Sequence, residues 1–247
     1  MPDPRPTDWF DLAFDELYAD LYSHRDDSEA RVLVQSLQER FPLRGAVLDI
    51  ACGAGRLLEP LRAAFGQSVG IDRSAALLRR ARARGSIFPL VRGDMRELPF
   101  RCGSFGSAVS LFTSFGYFDS VEEDRQAICE VGRTLASSGR FVLDYLNPDT
   151  TIRHLIPSSV RRVGSVVVQE RRWVDPSGPF LRKEVSVTGD EPVRYEERIR
   201  LYDAAGLQSL TSAARLKVQA LWGSYDGSPY DRDRSSRLIL LCEREDA

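Results

Sequence analysis

The stretch AVLDIACGAGRLLEPL, residues 46–61, decides how this chain folds. An apolar run that contains Asp49 leads into Gly53 and Gly55, and a helical pattern follows. A strand, a glycine-bearing loop and a helix in this order predict a unit whose loop approaches a nucleotide. Leu58 stands where a dinucleotide-binding fingerprint has its third glycine, so the loop does not by itself identify the nucleotide.

Outward from this unit, strand-like and helical patterns alternate along the chain. The helical patterns include residues 56–64, 121–135 and 204–214. The predicted strands are residues 46–50, 68–72, 88–94, 104–112, 139–146, 216–223 and 236–244. This alternation predicts an α/β fold, in which a Rossmann-like, seven-stranded, mostly parallel sheet carries helices on both faces.

The pattern changes after Pro148. Three alternating runs between residues 165 and 203 are separated by the turn sequences PSGP and TGDEP. They predict a small antiparallel β-meander, inserted as a lid after the fifth strand. Helical spacing of apolar residues from about Asp8 to Phe41 adds an N-terminal helical part, so we expect this part at residues 1–41, a core at 42–150 and 202–247, and the lid at 151–201.

The composition is ordinary for a soluble globular protein. The 247 residues carry a formal net charge of −2. The chain therefore lacks the overall excess of basic residues that is typical of nucleic-acid-binding proteins. No apolar run approaches the ~20 residues of a membrane span, and the first residues show no secretory pattern. The four cysteines form neither a C-x-x-C pair nor a zinc pattern. We expect a cytoplasmic monomer or homodimer without metal, membrane or nucleic-acid partner.

The ends of the second and third predicted strands narrow the choice of nucleotide. Asp72, nineteen residues after Gly53, stands where a carboxylate accepts hydrogen bonds from ribose hydroxyls. Asp94 can accept a hydrogen bond from the exocyclic amine of adenine, with Met95 packed on the ring. NAD and S-adenosylmethionine both fit these two strand ends. Leu58 argues against a pyrophosphate and therefore favours S-adenosylmethionine.

Five segments taken together resemble class I S-adenosylmethionine-dependent methyltransferases: VLDIACGAGR, VGIDRS, RGDMRELPF, SFGSAVSLFTSFGYF and LASSGRFVLDYLNP. The resemblance covers about residues 47–148. The sequences YEERIRLY and GSYDGSPYDRDRSSRLILL are similar to a bacterial small-molecule subgroup, which includes N-methyltransferases of amino sugars and of peptide natural products. The resemblance implies in-line transfer of a methyl group to a nitrogen or oxygen of a small-molecule acceptor, with S-adenosylhomocysteine as the product.

The resemblance also implies which residues bind the methionine part of the cofactor. Backbone groups of Ala51, Cys52, Gly53 and Gly55 are expected to line it. Asp49 is expected to orient this loop or to hold the amino group.

Further positions follow for the rest of the cofactor. Asp72 is expected to hold the ribose, and Arg73 to flank the adenine. Asp94 and Met95 are expected to hold the adenine. The carbonyl of Leu111, at the end of the fourth predicted strand, is expected to accept from the cofactor's ammonium.

Aromatic residues are candidates for the methyl-transfer site. Phe115 and Tyr117 can border the methyl group and stabilise a cation by cation–π contact. In the resembling enzymes an N-terminal helix closes over the cofactor, with tyrosine near the methyl and a basic residue near the carboxylate. Tyr18 and Tyr22, one helical turn apart, and Arg25 are the matching candidates.

Four polar residues are candidates for the acceptor side: two histidines, and an acid and a tyrosine at the end of the fifth predicted strand. His24 and His154 are the two histidines of the chain, and either can act as a base. Asp144 and Tyr145 can grip polar groups of the acceptor. A hydroxyl nucleophile needs a strong base and a neutral amine much less, so the sequence leaves the nucleophile open.

Two other functions compete with this prediction. A nicotinamide-dependent oxidoreductase is disfavoured by Leu58, by the GDM sequence and by the lack of a Tyr-x-x-x-Lys pair. A methyltransferase fold that binds the cofactor without turnover is disfavoured only weakly, because no cofactor motif is visibly broken.

Overall fold

Two β-sheets form the frame of the computed structural model, which describes residues 28–83, 88–189 and 192–246. The strands are β1 (Val47–Ile50), β2 (Ser68–Asp72), β3 (Leu90–Arg92), β4 (Phe105–Ser110), β5 (Leu135–Leu146), β6 (Ser158–Val163), β7 (Val166–Val174), β8 (Phe180–Thr188), β9 (Val193–Arg200), β10 (Leu216–Trp222) and β11 (Arg237–Arg244). The helices are α1 (Ser28–Arg40), α2 (Leu58–Phe65), α3 (Ala75–Ala83), α4 (Val121–Thr134), α5 (Pro148–Arg153) and α6 (Ala204–Ala213).

The larger sheet has seven strands in the order β10-β11-β5-β4-β1-β2-β3. The strands β1 to β5 pair in parallel, and β11 runs antiparallel to both β5 and β10. This arrangement confirms the predicted Rossmann-like α/β fold. The strand order reverses next to β1, which pairs with β2 on one side and β4 on the other, and ligands bind beyond the carboxyl ends of strands at such a point.

Alternating side chains divide the core between the two faces of this sheet. Val47, Val142 and Ile239 pack in one cluster with the buried residues of α1 and α2. Leu48 and Phe141, each the chain neighbour of one of these, pack in the other cluster with α4 and α6. This period of two places Asp49 and Asp144 on the α1 side, because both lie two residues from a valine of that cluster.

The helices begin where local sequence satisfies their first N–H groups. At α4, the Ser120 hydroxyl accepts from the Glu123 N–H while the Glu123 carboxylate accepts from the Ser120 N–H, which forms a capping box. By contrast, Leu57 at the start of α2 provides no side-chain cap. Within the described ranges, no helix combines the length and apolar character needed to cross a membrane.

The second sheet has four antiparallel strands in the order β6-β7-β8-β9. It confirms the predicted meander after β5, but the sequence indicated only three strands. The sequence does not predict β6 because this strand has no apolar face. Val160 is 68% exposed, and most of the strand's other residues are polar. The division into N-terminal helical part, core and lid stays a prediction.

Candidate functional site

The loop after β1 lies at the reversal of strand order and carries an unusual backbone. Ala51, Gly53 and Gly55 all have left-handed φ values, of 58°, 56° and 74°. Glycine adopts the left-handed conformation freely. At Ala51 the same conformation strains the backbone, and such strained residues are common at functional sites. These residues reverse the chain between β1 and α2. Their expected contact with the methionine part, shared with Cys52, stays a prediction.

Close packing explains both Leu58 and Cys52. A Cβ built on Gly55 would lie 3.3 Å from the Leu58 Cδ1 atom, and one on Gly70 would lie 2.7 Å from the Cys52 Sγ atom. The leucine therefore fills the space between the loop and β2 that a third glycine would leave open. The cysteine side chain packs on β2, and burial together with the charges of Asp49 and Asp72 raises the pKa of its thiol. Cys52 is not an activated nucleophile.

Asp49 is a buried acid with one carboxyl oxygen that lacks a hydrogen-bond partner among the described residues. Its side chain is 1% exposed, and this oxygen is Oδ2. Burial and the neighbouring Asp72 raise its pKa to about 8, although Arg56 opposes this shift. A buried carboxylate oxygen without a donor fits a cationic ligand such as an ammonium.

Asp72 joins the ends of β1 and β2. Its Oδ2 atom accepts from the Gly53 N–H at 2.8 Å, and its Oδ1 atom accepts from the Ser74 N–H at 2.8 Å. Burial raises its pKa, whereas these backbone hydrogen bonds oppose the shift. The carboxylate therefore shapes the glycine loop, and each oxygen keeps acceptor capacity for a ribose hydroxyl.

Asp94 is held by arginines. Its Oδ2 atom lies 2.7 Å from a guanidinium nitrogen of Arg73 and 2.7 Å from one of Arg96, and its Oδ1 atom accepts from the Arg96 N–H at 2.8 Å. Burial alone would raise its pKa, but Arg96 and then Arg73 lower it below the ordinary value. The expected contacts of Asp94 and Arg73 with the adenine stay predictions. Met95 is half-buried against the core.

Arg96 is a site residue that the sequence analysis missed. It is 5% exposed, donates to the Glu123 carboxylate at 2.6 Å, and its guanidinium lies 4.5 Å from the centre of the Phe118 ring. It thereby connects Asp94 to the start of α4. Its place two residues after Asp94 was the available signal, because that spacing suits a local carboxylate–arginine pair.

Strained backbone follows β4. Leu111 is buried, and its carbonyl accepts from the Ser114 hydroxyl at 2.7 Å, which leaves a second lone pair for a ligand. Phe112 and Thr113 both have left-handed φ values, of 57° and 62°. The guanidinium of Arg56, from the loop after β1, stacks 3.6 Å from the centre of the Phe112 ring. The two loops beside the reversal point are thus in contact.

Asp144 holds this strained turn, contrary to the expectation that it grips the acceptor. It is fully buried, and its carboxylate accepts from the Phe112 N–H at 2.6 Å, the Tyr225 hydroxyl at 3.1 Å and Arg237 at 2.7 Å. Arg237 also donates to the Thr113 hydroxyl at 2.7 Å. These contacts satisfy the carboxylate within the protein.

The aromatic candidates have different positions. Phe115 is 2% exposed and packs against Tyr145 and Tyr202, so its predicted place beside the methyl group is wrong. Tyr145 is fully buried and its hydroxyl donates to the Arg200 carbonyl, so it does not grip the acceptor. Tyr117 is half-buried and its proposed role stays a prediction.

The remaining candidates lie at the periphery or outside the described residues. His154 is exposed at the end of α5, and its Nδ1 atom lies 3.0 Å from the Thr150 carbonyl, so its role as a base stays a prediction. Tyr18, Tyr22 and Arg25, and also His24, lie outside the described residues.

The fold and this edge of the sheet define the class. Four features together describe a class I S-adenosylmethionine-dependent methyltransferase: a seven-stranded sheet with one antiparallel strand, a glycine-bearing loop after β1, acids ending β2 and following β3, and a leucine in place of the third loop glycine. The chain belongs to this family of enzymes, and its cofactor is S-adenosylmethionine. The alternative of a nicotinamide-dependent oxidoreductase is thereby wrong.

Comparisons with known proteins give closer relatives. The model of a family described as "Methyltransferase domain" matches residues 47–139. The dTDP-3-amino-3,4,6-trideoxy-alpha-D-glucopyranose N,N-dimethyltransferase of Streptomyces venezuelae is 32% identical over 209 residues, which cover 81% of this chain and 87% of that protein. The dTDP-3-amino-3,6-dideoxy-alpha-D-glucopyranose N,N-dimethyltransferase of Streptomyces fradiae is 28% identical over 212 residues, which cover 83% of this chain and 81% of that protein.

A solved structure extends the comparison of folds. An S-adenosylmethionine-dependent methyltransferase from Clostridium acetobutylicum superimposes with a TM-score of 0.78 at 16% identity, with 95% of this chain and 99% of that chain covered. At that identity the similarity concerns the fold alone. Because 95% of this chain is covered, the shared fold includes both sheets.

Proposed function

We propose that this methyltransferase transfers its methyl group to the amino nitrogen of a small-molecule amino sugar. The observation that carries the proposal is the similarity to the Streptomyces venezuelae N,N-dimethyltransferase. The match covers 81% of this chain, which is about 200 of its 247 residues. Any continuous stretch of that length within the chain contains roughly residues 48–200. It therefore includes the second sheet as well as the cofactor edge, and the second sheet is the part that we propose to cover the acceptor.

The acids near the β4 loop support a nitrogen nucleophile. Asp144 is bonded to Arg237 and Tyr225, and Asp124, buried on α4, is bonded to Arg200 and the hydroxyl of Tyr202. The Asp124 Oδ1 atom has no partner among the described residues, but both acids are fully buried, so neither presents an exposed carboxylate that could take a proton from an acceptor hydroxyl. A neutral amine needs no such base to attack.

The chemistry then depends on alignment. When bound, S-adenosylmethionine would supply an electrophilic methyl group on its sulfonium; transfer to the acceptor nitrogen would leave S-adenosylhomocysteine and release the amine proton to solvent. The protein holds the nitrogen in line with that bond and excludes water. We assign Tyr117 to the border of the methyl group and residues 151–201 to a lid over the acceptor.

A matched pair of acceptors tests the proposal. One is a dTDP-linked sugar that carries an amino group, and the other is the same sugar with a hydroxyl at that position. We expect mass spectrometry to show one or two added methyl groups on the amine and none on the hydroxyl compound. Equal methylation of both, or methylation of the hydroxyl compound alone, would contradict nitrogen specificity.

A further inference from the structure

Arg200, the last residue of β9, forms hydrogen bonds through its backbone N–H, its carbonyl and its guanidinium. Its N–H donates to the Gly116 carbonyl at 2.8 Å, and its carbonyl accepts from the Tyr145 hydroxyl. Its side chain donates to Asp124 Oδ2 at 3.1 Å and to the Asp119 carbonyl at 2.7 Å. A residue of the second sheet is thus attached to β5, to α4 and to the loop after β4.

Two of these bonds fall on either side of Tyr117. The Gly116 carbonyl is bound by the backbone of Arg200, and the Asp119 carbonyl by its guanidinium. Gly116 has a φ of 90°, and a Cβ there would lie 2.6 Å from the Tyr145 hydroxyl. The segment 116–119 therefore packs closely against β5 at Gly116, and Arg200 forms a hydrogen bond with each of its two ends.

The charge of Arg200 is compensated within the protein. The residue is 7% exposed; its guanidinium pairs with the fully buried Asp124 and lies 4.5 Å from the centre of the Phe180 ring of β8. The same Asp124 oxygen accepts from the Tyr202 hydroxyl at 2.8 Å. Such a buried pair fixes geometry, because breaking it leaves a charge without its partner.

We propose that Arg200 is a positioning residue, which sets the segment 116–119 and with it Tyr117, so that the second sheet and the methyl-transfer loop keep one relative position. The importance of this position for catalysis rests on the proposed function, in which Tyr117 borders the methyl group. The positioning itself is a property of the fold and can be measured without an acceptor.

The test compares Arg200→Lys with Arg194→Lys. Lysine at 200 keeps the positive charge and both backbone bonds but cannot reach Asp124 and the Asp119 carbonyl with a planar fork. Arg194, on the same strand, is an exposed residue paired with Glu184, so its replacement is the control. Hydrogen exchange is measured on the full chain with S-adenosylhomocysteine bound.

We expect Arg200→Lys to speed the exchange of amides 116–120 about tenfold, the factor for loss of one charged hydrogen bond, while amides of β4 and β5 keep the wild-type rate. The Kd for S-adenosylhomocysteine should stay within about twofold, because no cofactor-edge bond is lost. With an accepted substrate, kcat should fall more than KM changes. Arg194→Lys should behave as wild type.

Unchanged exchange at amides 116–120 would overturn the proposal, as would a rise spread evenly over the whole sheet. If Arg200→Lys does not fold, Asp124→Asn tests the same contact by removing its charge, with a smaller local rise expected. A local rise without any methylation of amine acceptors would sink the proposed function and leave the positioning role intact.

Discussion

At the residue scale, Asp49 explains why the edge of the sheet suits a cationic ligand. The carboxyl group is buried, one of its oxygens has no partner among the described residues, and its pKa is raised to about 8. The raised pKa means that the folded state holds this proton more tightly than the unfolded chain. Between the ordinary pKa of 3.8 and about 8, Asp49 therefore reduces the stability of the free protein as the pH rises.

The same reasoning predicts proton release on cofactor binding. At pH 7 the Asp49 carboxyl is mostly protonated, and an ammonium beside it lowers its pKa, so about one proton should leave per cofactor bound. Calorimetry at pH 7 in buffers of different ionisation enthalpy measures this number.

The variant Asp49→Asn is the control for that titration, because it cannot release the proton while the cofactor's own amine is unchanged. The difference between the two proteins isolates Asp49. Equal proton release by wild type and variant would show that the cofactor's ammonium does not interact with this carboxylate.

At the element scale, the turn after β4 is stabilised by contacts from distant segments. Phe112 and Thr113 are left-handed non-glycine residues, and such strain persists only where the surroundings enforce it. Asp144 of β5 and Arg237 of β11 do so by binding the Phe112 N–H and the Thr113 hydroxyl. The Leu111 carbonyl immediately before the turn is fixed as a consequence.

Replacement of the acid in this arrangement should destabilise the protein. Asp144→Asn leaves Arg237 without its counter-charge, at a cost of about 3 kcal/mol, the low end for a buried pair because Arg237 keeps some exposure. For a chain of this size that corresponds to a fall in Tm of roughly 6–12 °C. Thermal unfolding followed by circular dichroism gives the value.

Glu122→Gln provides the matched control for that measurement. Glu122 pairs with Arg125 on the surface of α4, and its side chain is 73% exposed. Surface pairs contribute at most about 1 kcal/mol, so the Tm should barely change. Similar shifts in the two variants would mean that Asp144 does not restrain the turn.

At the scale of the whole molecule, the sequence predicts those features that depend on residues close together along the chain. The glycine loop around Gly53, the acid at the end of β2, the acid after β3, and the alternation of strands and helices predicted the fold and the edge of the sheet that carries the candidate site. These features are recorded in neighbouring residues, and parallel sheets bring their carboxyl ends together at one edge.

What the sequence did not reveal depends on distant contacts. Arg200 meets Asp124 from 76 residues away, and Asp144 meets Arg237 from 93 residues away. Sequence spacing does not indicate such pairs. The sequence favours a ligand contact for Asp144 and Phe115 although both are buried, because sequence alone cannot separate a polar or aromatic residue that contacts a ligand from one that is satisfied inside the protein.

The most direct test of the account is a crystal structure of the full chain with S-adenosylhomocysteine. We expect the ligand at the carboxyl ends of β1 and β2, its ammonium within roughly 2.7–3.2 Å of a carboxylate oxygen of Asp49 or the Leu111 carbonyl, and its ribose hydroxyls on Asp72. The adenine should lie on Met95. A ligand bound away from this edge, or one that leaves Asp72 without contact, would contradict the account.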